Sequence, residues 1–229
     1  MNEDRHDYRG ERVAVTYDVD RCLHVRACVE GLPSVFDPDS RPWVDPDAAD
    51  ADEVARVVER CPTGALTHDG DEAVPPRNAA VVVANGPVHL RGDLDVRTAS
   101  GDPVTRETRL ALCRCGRSGT TPLCDGSHER TFEAAGVDPS EAVDAALSAA
   151  GESGDDGGDA TDEGVDHDPL VVTLRRDGPV HLAGPFTLVH ADSERSMDET
   201  ALCRCGASPR KPFCDGTHES VGFETAPGE

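Results

Sequence analysis

The stretch CRCGRSGTTPLCDGSH occupies residues 113–128 of the chain, and a near copy, CRCGASPRKPFCDGTH, occupies residues 203–218. Each copy places three cysteines and one histidine at the same offsets. Thiolates bind zinc, copper and iron–sulfur clusters, and an imidazole is compatible with zinc or iron. The two stretches therefore predict two metal centres, each enclosed by one short segment. The predicted ligands are Cys113, Cys115, Cys124 and His128 in the first copy, and Cys203, Cys205, Cys214 and His218 in the second.

The repeat extends upstream of these ligands. The pentapeptide GPVHL occurs at residues 86–90 and again at residues 178–182, and a short apolar stretch that predicts a strand precedes each. A repeat of this kind indicates two equivalent structural units. We predict two β-rich domains, at residues 78–135 and 169–226, each with its ligand segment at the end of the strands.

Residues 136–168 connect the two β-rich domains. Apolar side chains at helical spacing predict one helix over residues 139–150. Beyond Gly151 the chain consists mainly of Gly, Asp, Glu, Ser and Thr, with little to bury. Such a composition predicts a flexible acidic linker.

A first domain, predicted at residues 11–72, contains the other three cysteines: Cys22, Cys28 and Cys61. The stretch VAVTY at residues 13–17 predicts a strand. Asp50 and Glu53 resemble a capping box, and valines at helical spacing follow them. Because Pro62 disfavours a helical conformation at the residue before it, the helix is expected to end near Cys61.

The composition limits the partners and the compartment. The chain has 229 residues and a formal net charge of −23, from 45 acidic and 22 basic side chains. A chain this acidic is repelled by the phosphate backbone of nucleic acids and by anionic membranes. We therefore expect no nucleic acid partner. No stretch approaches the roughly 18 apolar residues of a membrane span, and we predict no membrane span and a cytoplasmic location. The acidic, lysine-poor composition resembles that of halophilic proteins, with an ordinary acidic protein as the alternative.

Both ligand segments resemble the CDGSH iron–sulfur domain, whose pattern is Cys-X-Cys-X2-(Ser/Thr)-X3-Pro-X-Cys-Asp-Gly-(Ser/Thr/Ala)-His. Ser118 with Pro122, and Ser208 with Pro212, complete that pattern. The resemblance implies one 2Fe–2S cluster in each copy, held by three cysteines and one histidine. Likeness to the tandem members further implies an intrachain pseudo-dimer. Tetrahedral zinc is the alternative that these ligand types leave open.

The first domain resembles the divergent mono-cluster 4Fe–4S family, a ferredoxin-like α+β fold. The likeness lies in CLHVRAC at residues 22–28, RPW at residues 41–43 and CPTGAL at residues 61–66. It implies one further cluster bound by Cys22, Cys28 and Cys61. Three thiolates suit a 3Fe–4S cluster, or a 4Fe–4S cluster with another ligand, for which His24 is the candidate. A surface role for His24, and free or zinc-bound cysteines, are the alternatives.

Several other residues near these segments have simpler interpretations. His89 and His181 occupy equivalent strand positions and are expected on the surface, with contact to a cluster as the alternative. Arg114 and Arg204 lie between ligands, where they would offset cluster charge or donate to its sulfides. Trp43 is expected to fill a small apolar core.

The special residues are thus assigned to metal ligation, and we predict that the protein is not an enzyme. The predicted fold class is α+β: a ferredoxin-like module followed by two β-rich CDGSH modules that form a pseudo-dimer. Because the pseudo-dimer lies within one chain, the sequence is compatible with a monomer. The predicted function is one-electron transfer with redox protein partners. A pH-sensitive carrier or sensor that gives 2Fe–2S clusters to apo-acceptors, and an accessory subunit of an oxidoreductase, are the alternatives.

Overall fold

The computed structural model describes residues 4–152 and 168–225. The chain divides into two compact units, Met1–Ala73 and Val74–Glu229. Most of the predicted acidic linker, residues 153–167, lies outside the described residues. The predicted α+β class is confirmed, since the first unit mixes helices with a small sheet and the second is rich in strands.

The first unit contains a three-stranded antiparallel sheet in the order β1–β2–β3, formed by Arg5–Arg9, Ala14–Asp18 and Leu66–His68. Helix α1, Ala27–Gly31, is short, and helix α2, Ala51–Glu59, is the main helix of this unit. The strand predicted at residues 13–17 and the helix after Asp50 are both confirmed.

Helix α2 is held by its apolar stripe rather than by its cap. Val54, Val57 and Val58 are buried in one apolar cluster with the sheet. The predicted capping role of Asp50 is wrong, because its carboxylate makes no capping hydrogen bond and instead lies 3.0 Å from the Arg12 guanidinium. Burial of the valines, each contributing about 1.5–3 kcal/mol, therefore outweighs the missing cap.

The second unit repeats a strand pattern of one short strand and two long ones. In the first copy these strands are β4 (Ala79–Val82), β5 (Val88–Thr98) and β6 (Pro103–Leu112). In the second copy they are β7 (Leu170–Leu174), β8 (Val180–His190) and β9 (Ser193–Leu202). Helix α3, Ala142–Ala149, lies within the predicted helix, and α4, Thr217–Ser220, follows the second ligand segment. Within residues 4–152 and 168–225, no helix has both the length and the apolar character to cross a bilayer.

The two copies exchange strand pairings. The first part of β5 pairs antiparallel with β4, and from Leu94 onward β5 pairs parallel with β7 of the other copy. Strand β8 mirrors this, pairing first with β7 and then, from Thr187, with β4. Strands β5 and β8 each change partner where their own pairing with β6 or β9 shifts register. Such an irregularity bends a strand, which directs its second half to the other copy. This exchange confirms the predicted intrachain pseudo-dimer.

One apolar core joins both copies. Its fully buried leucines come in equal number from each copy: Leu90, Leu94 and Leu112 from the first, and Leu170, Leu182 and Leu202 from the second. Helix α3 covers a separate cluster, in which alanines of the helix pack against Ala79, Val81 and Val83. Neither copy therefore has a complete core of its own.

Candidate metal centres

Each ligand segment of the second unit folds back against the strand that precedes it. Cys113 directly follows β6, and its amide donates to the carbonyl of Pro122 at 2.9 Å. The amide of Cys124 donates to the carbonyl of Ala111, also at 2.9 Å. The second copy reproduces both bonds, from Cys203 to Pro212 and from Cys214 to Ala201. These bonds bring the third cysteine of each segment beside the first two.

The remaining positions of the pattern shape the turn that carries the histidine. Ser118 Oγ donates to the carbonyl of Leu123 at 2.6 Å, which closes the loop between the cysteines. Asp125 Oδ1 accepts from the amide of Ser127 at 2.9 Å, and the short helical turn Ser127–Arg130 begins there. Asp215 does the same for Thr217 at the start of α4. The aspartate thus fixes the turn that places His128 or His218.

The four predicted ligands of each segment form two close pairs. Cys113 Sγ lies 3.6 Å from Cys115 Sγ, and Cys124 Sγ lies 3.2 Å from His128 Nδ1. In the second copy, the corresponding distances are 3.6 Å between Cys203 and Cys205, and 3.4 Å between Cys214 and His218. Two ligands of one tetrahedral metal with bonds of about 2.3 Å are roughly 3.7 Å apart, so each pair suits one metal ion. Within residues 4–152 and 168–225, no three Cys, His, Asp or Glu side chains are grouped closely enough to hold a single ion.

The protonation of the thiols is set by their neighbours. The hydrogen bond from Cys115 lowers the pKa of Cys113 to about 5, and the same bond is the main cause that raises the pKa of Cys115. Burial raises the pKa of Cys124 to about 12. A metal that binds all three as thiolates must displace protons from Cys115 and Cys124 near neutral pH, so metal binding at this site releases protons.

The two ligand segments contact each other across the pseudo-twofold axis. Gly116 has a φ of +72°, and a β-carbon at this position would lie 2.8 Å from the carbonyl oxygen of Cys205. Gly206 has the same relation to Cys115, again at 2.8 Å. Cys115 and Cys205 also line one shared groove. The two candidate centres are therefore neighbours at one end of the second unit.

In the first unit, the three predicted cysteines line one cavity of about 740 Å³. His24 lines it too, with Nδ1 3.8 Å from Cys22 Sγ. Burial and then the neighbouring Cys61 raise the pKa of Cys28 to about 11. The structure thus brings Cys61 to the same cavity as Cys22 and Cys28, more than 30 residues earlier in the sequence, and His24 lines this cavity with them.

Two features of this cavity were not evident from the sequence. His6 lines it, because β1 pairs with β2 in a register that sets His6 opposite Tyr17. Burial and then a hydrogen bond with Cys22 raise the pKa of Tyr17. Trp43 packs edge-on against Tyr17, with ring centroids 4.9 Å apart, and also joins the apolar core, as predicted. No strand was predicted over residues 5–9, so the sequence did not place His6 at this cavity.

Comparison with known families agrees with this geometry. A family model described as a divergent 4Fe-4S mono-cluster matches residues 8–69, and one described as an iron-binding zinc finger of CDGSH type matches residues 85–129 and 177–219. The chain belongs to the tandem CDGSH proteins with a divergent 4Fe-4S mono-cluster domain. The uncharacterized protein YjdI of Escherichia coli K12 is 36% identical over 61 residues, which are 27% of this chain and 80% of YjdI. YjdI of Escherichia coli O157:H7 shows the same identity and coverage. This tandem CDGSH protein is thus an iron–sulfur cluster-binding protein.

The arginine between the ligands of each CDGSH domain anchors the ligand loop. Arg114 is buried, and its Nε donates to the carbonyl of Gly86 at 2.8 Å while Nη2 donates to the carbonyl of Val83. Arg204 makes the equivalent bonds to Gly178 and Arg175, at 2.9 and 2.7 Å. Two donors of each arginine therefore bind hairpin carbonyls, while Arg114 Nη1 is buried without a hydrogen-bond partner among the residues that the structure describes. Burial lowers the pKa of the Arg114 guanidinium to about 10, and the nearby Cys203 and Cys113 oppose that shift. The positive charge of Arg114 therefore lies near predicted ligands of both copies.

The equivalent histidines of the two CDGSH domains, His89 and His181, were both predicted at the surface, but they differ in exposure. His89 is only 3% exposed, so the prediction of a surface histidine is wrong at this position. Its Nδ1 is buried without a hydrogen-bond partner among the residues that the structure describes. His181 is partly exposed, and its Nε2 lies 2.9 Å from Glu199 Oε1. Both histidines lie between two strands of the sheet, but the strand neighbour of His89 is Val81, which belongs to the cluster packed against helix α3, whereas the neighbour of His181 is Thr173.

Proposed function

We propose that this protein transfers single electrons through two 2Fe–2S clusters, one in each CDGSH domain, and a third iron–sulfur cluster in the first unit. The carrying observation is the pairing of ligands: each CDGSH segment offers two pairs, and each pair spans the edge of one metal tetrahedron. Two pairs suit two irons bridged by sulfide better than one zinc ion. When bound, such a cluster accepts and releases one electron.

The side chains around each CDGSH site have distinct tasks in this function. The cysteines and the histidine would hold the irons, and Arg114 and Arg204 hold the ligand loop on its hairpin. The buried Cys113, Cys124 and Cys203 keep water from one side of each centre. Contact between the Cys115–Gly116 and Cys205–Gly206 backbones supports electron exchange between neighbouring centres.

The third cluster is assigned to the cavity of the first unit. Its three cysteines supply three thiolates, which suits a 3Fe–4S cluster or a 4Fe–4S cluster with a further ligand. His24 is our candidate for that ligand, because it lies beside Cys22 at the same cavity. Its redox partners would be other proteins, and a cytoplasmic location fits the reduced thiols.

Iron and acid-labile sulfide analysis of anaerobically purified protein tests this proposal. We expect about eight irons per chain for two 2Fe–2S clusters and one 4Fe–4S cluster, or about seven if the third cluster is 3Fe–4S. EPR after dithionite reduction distinguishes these two results. A colourless preparation with stoichiometric zinc and no reduction by dithionite would contradict the proposal.

Transfer of whole 2Fe–2S clusters is a second candidate function. It is favoured by the partial exposure of His128 and His218, since a neutral ligand at the surface is the easiest to release. Repeated reduction and reoxidation without loss of iron supports electron transfer. Rapid appearance of the cluster in an apo-ferredoxin supports the carrier, and recovery with a large oxidoreductase supports an accessory subunit.

Replacing His218 with cysteine is expected to lower the reduction potential of the second CDGSH site. A thiolate adds one negative charge where the imidazole is neutral, and a more anionic centre is harder to reduce. A potentiometric titration followed by EPR measures the change, with the unaltered first site in the same chain as its reference. Unchanged potentials at both sites would show that His218 is not a ligand.

A further inference from the structure

We propose that His89 positions the ligand His128 in the first CDGSH site by accepting a hydrogen bond from its outer ring N–H, a role without counterpart in the second site. The inference rests on the proposed 2Fe–2S function. It makes the two CDGSH sites chemically unequal, although their predicted ligands are the same.

The position of His89 within the sheet places it at the first site. It lies opposite Ala111 on β6, and the carbonyl of Ala111 accepts the amide hydrogen of Cys124. Cys124 Sγ in turn lies 3.2 Å from His128 Nδ1. His89 is only 3% exposed, and burial is the main cause that lowers its pKa, with a smaller contribution from the His128 ring. The strand pairing thus sets a buried imidazole beside a predicted ligand.

The chemistry of the two rings is complementary. His128 faces Cys124 through Nδ1, so Nδ1 is the nitrogen that would bind iron and Nε2 carries the ring proton. A metal-bound histidine normally donates that second N–H to an acceptor, which fixes the tautomer and the orientation of the ring. His89 Nδ1 is a buried nitrogen without a partner in the described part of the chain. A buried acceptor without a donor is unfavourable, so a donor that can reach His89 Nδ1 is stabilised there.

The second site uses the equivalent histidine differently. His181 lies opposite Ala201, as His89 lies opposite Ala111, but its Nε2 contacts the carboxylate of Glu199. The first copy has the buried Arg109 where the second copy has Glu199, so no carboxylate occupies that position beside His89. The substitution leaves His89 available for His128.

Two replacements of His89 separate a positioning role from simple packing. Phenylalanine fills the space of the ring without an acceptor, whereas asparagine is smaller but keeps an acceptor oxygen near the place of Nδ1. We expect H89F to lose the first cluster about 10–100 times faster than the natural protein, the usual effect of removing the partner of a ligand. We expect H89N to stay within about threefold of the natural rate. Packing alone predicts the opposite order, since asparagine leaves a cavity and phenylalanine does not.

The measurement follows the visible absorbance of the full-length, cluster-loaded protein in excess chelator. H89F should show a fast phase that releases about two irons per chain, while H181F should match the natural protein. Far-UV circular dichroism checks that the variants are folded. Natural protein without iron and sulfide would overturn the proposed function itself. Loaded natural protein with H89F unchanged, with H89N faster than H89F, or with both sites affected equally would overturn the role of His89.

Discussion

Replacing Gly116 with alanine is expected to remove both 2Fe–2S clusters, although the change lies in only one CDGSH domain. Gly116 has a φ of +72°, and its β-carbon would lie 2.8 Å from the Cys205 carbonyl oxygen. The left-handed conformation costs an alanine about 1–2 kcal/mol. Relieving the clash with a backbone atom adds about 1–3 kcal/mol and displaces the predicted ligand Cys205. The sum is a large fraction of the 5–15 kcal/mol that usually stabilises a domain.

The matched control is the replacement of Gly101 with alanine. Gly101 also has a positive φ, +91°, but nothing lies within 4 Å of the added carbon. It should show the conformational cost alone and keep all its iron. Iron content and urea denaturation of both variants measure the difference. Equal losses from Gly101→Ala and Gly116→Ala would show that the contact between the two ligand segments does not matter.

Replacing Arg114 with methionine is expected to lower the free energy of unfolding of the second unit by about 2–4 kcal/mol. The methionine keeps much of the buried volume but leaves the carbonyl of Gly86 without the arginine donor, while the carbonyl of Val83 keeps its bond from the Gly86 amide. A carbonyl left unsatisfied in the interior costs about 1–3 kcal/mol, and the hydrogen bond lost at Val83 adds about 1 kcal/mol. Because the same arginine ties the Cys113–Cys115 loop to its hairpin, the first cluster should also be lost before the second.

Arg117, an exposed arginine of the same loop, provides the control for this prediction. Its replacement by methionine should change the unfolding free energy by no more than about 0.5 kcal/mol, as surface substitutions usually do. Denaturation followed by circular dichroism, with visible absorbance as a second signal, compares the two variants. If both variants denature alike, the guanidinium of Arg114 does not anchor the loop.

The predicted ligand sets could be recognised before the structure because their geometry is local. Cys113 and Cys115 are two residues apart, and Cys124 and His128 are four apart, so short turns alone bring each pair together. The helix over Ala51–Glu59 was equally accessible, since its buried valines recur at helical spacing. The repeat of GPVHL likewise revealed that two equivalent units exist.

Features that depend on distant partners were not accessible in this way. Alternation along β5 shows that successive side chains lie on opposite faces of the sheet. It does not show what packs against each face, so His89 was wrongly placed on the surface. The carbonyls that Arg114 binds lie 28 and 31 residues away, in a hairpin whose approach no local pattern reports. His6 lies at the cavity of the first unit only because β1 pairs with β2, and no strand was predicted at β1.

The amino-acid sequence by itself determined the family, the number of CDGSH copies and the spacing of the predicted metal ligands. Those properties follow from residue types at short spacings, which a turn of a few residues translates directly into geometry. Only the tertiary structure decided that the copies share one core, exchange strand pairings and hold unequal histidines. These outcomes depend on contacts between residues far apart in the chain, such as Ala80 with Leu188 in neighbouring strands, because pairing at that range is set by the whole fold.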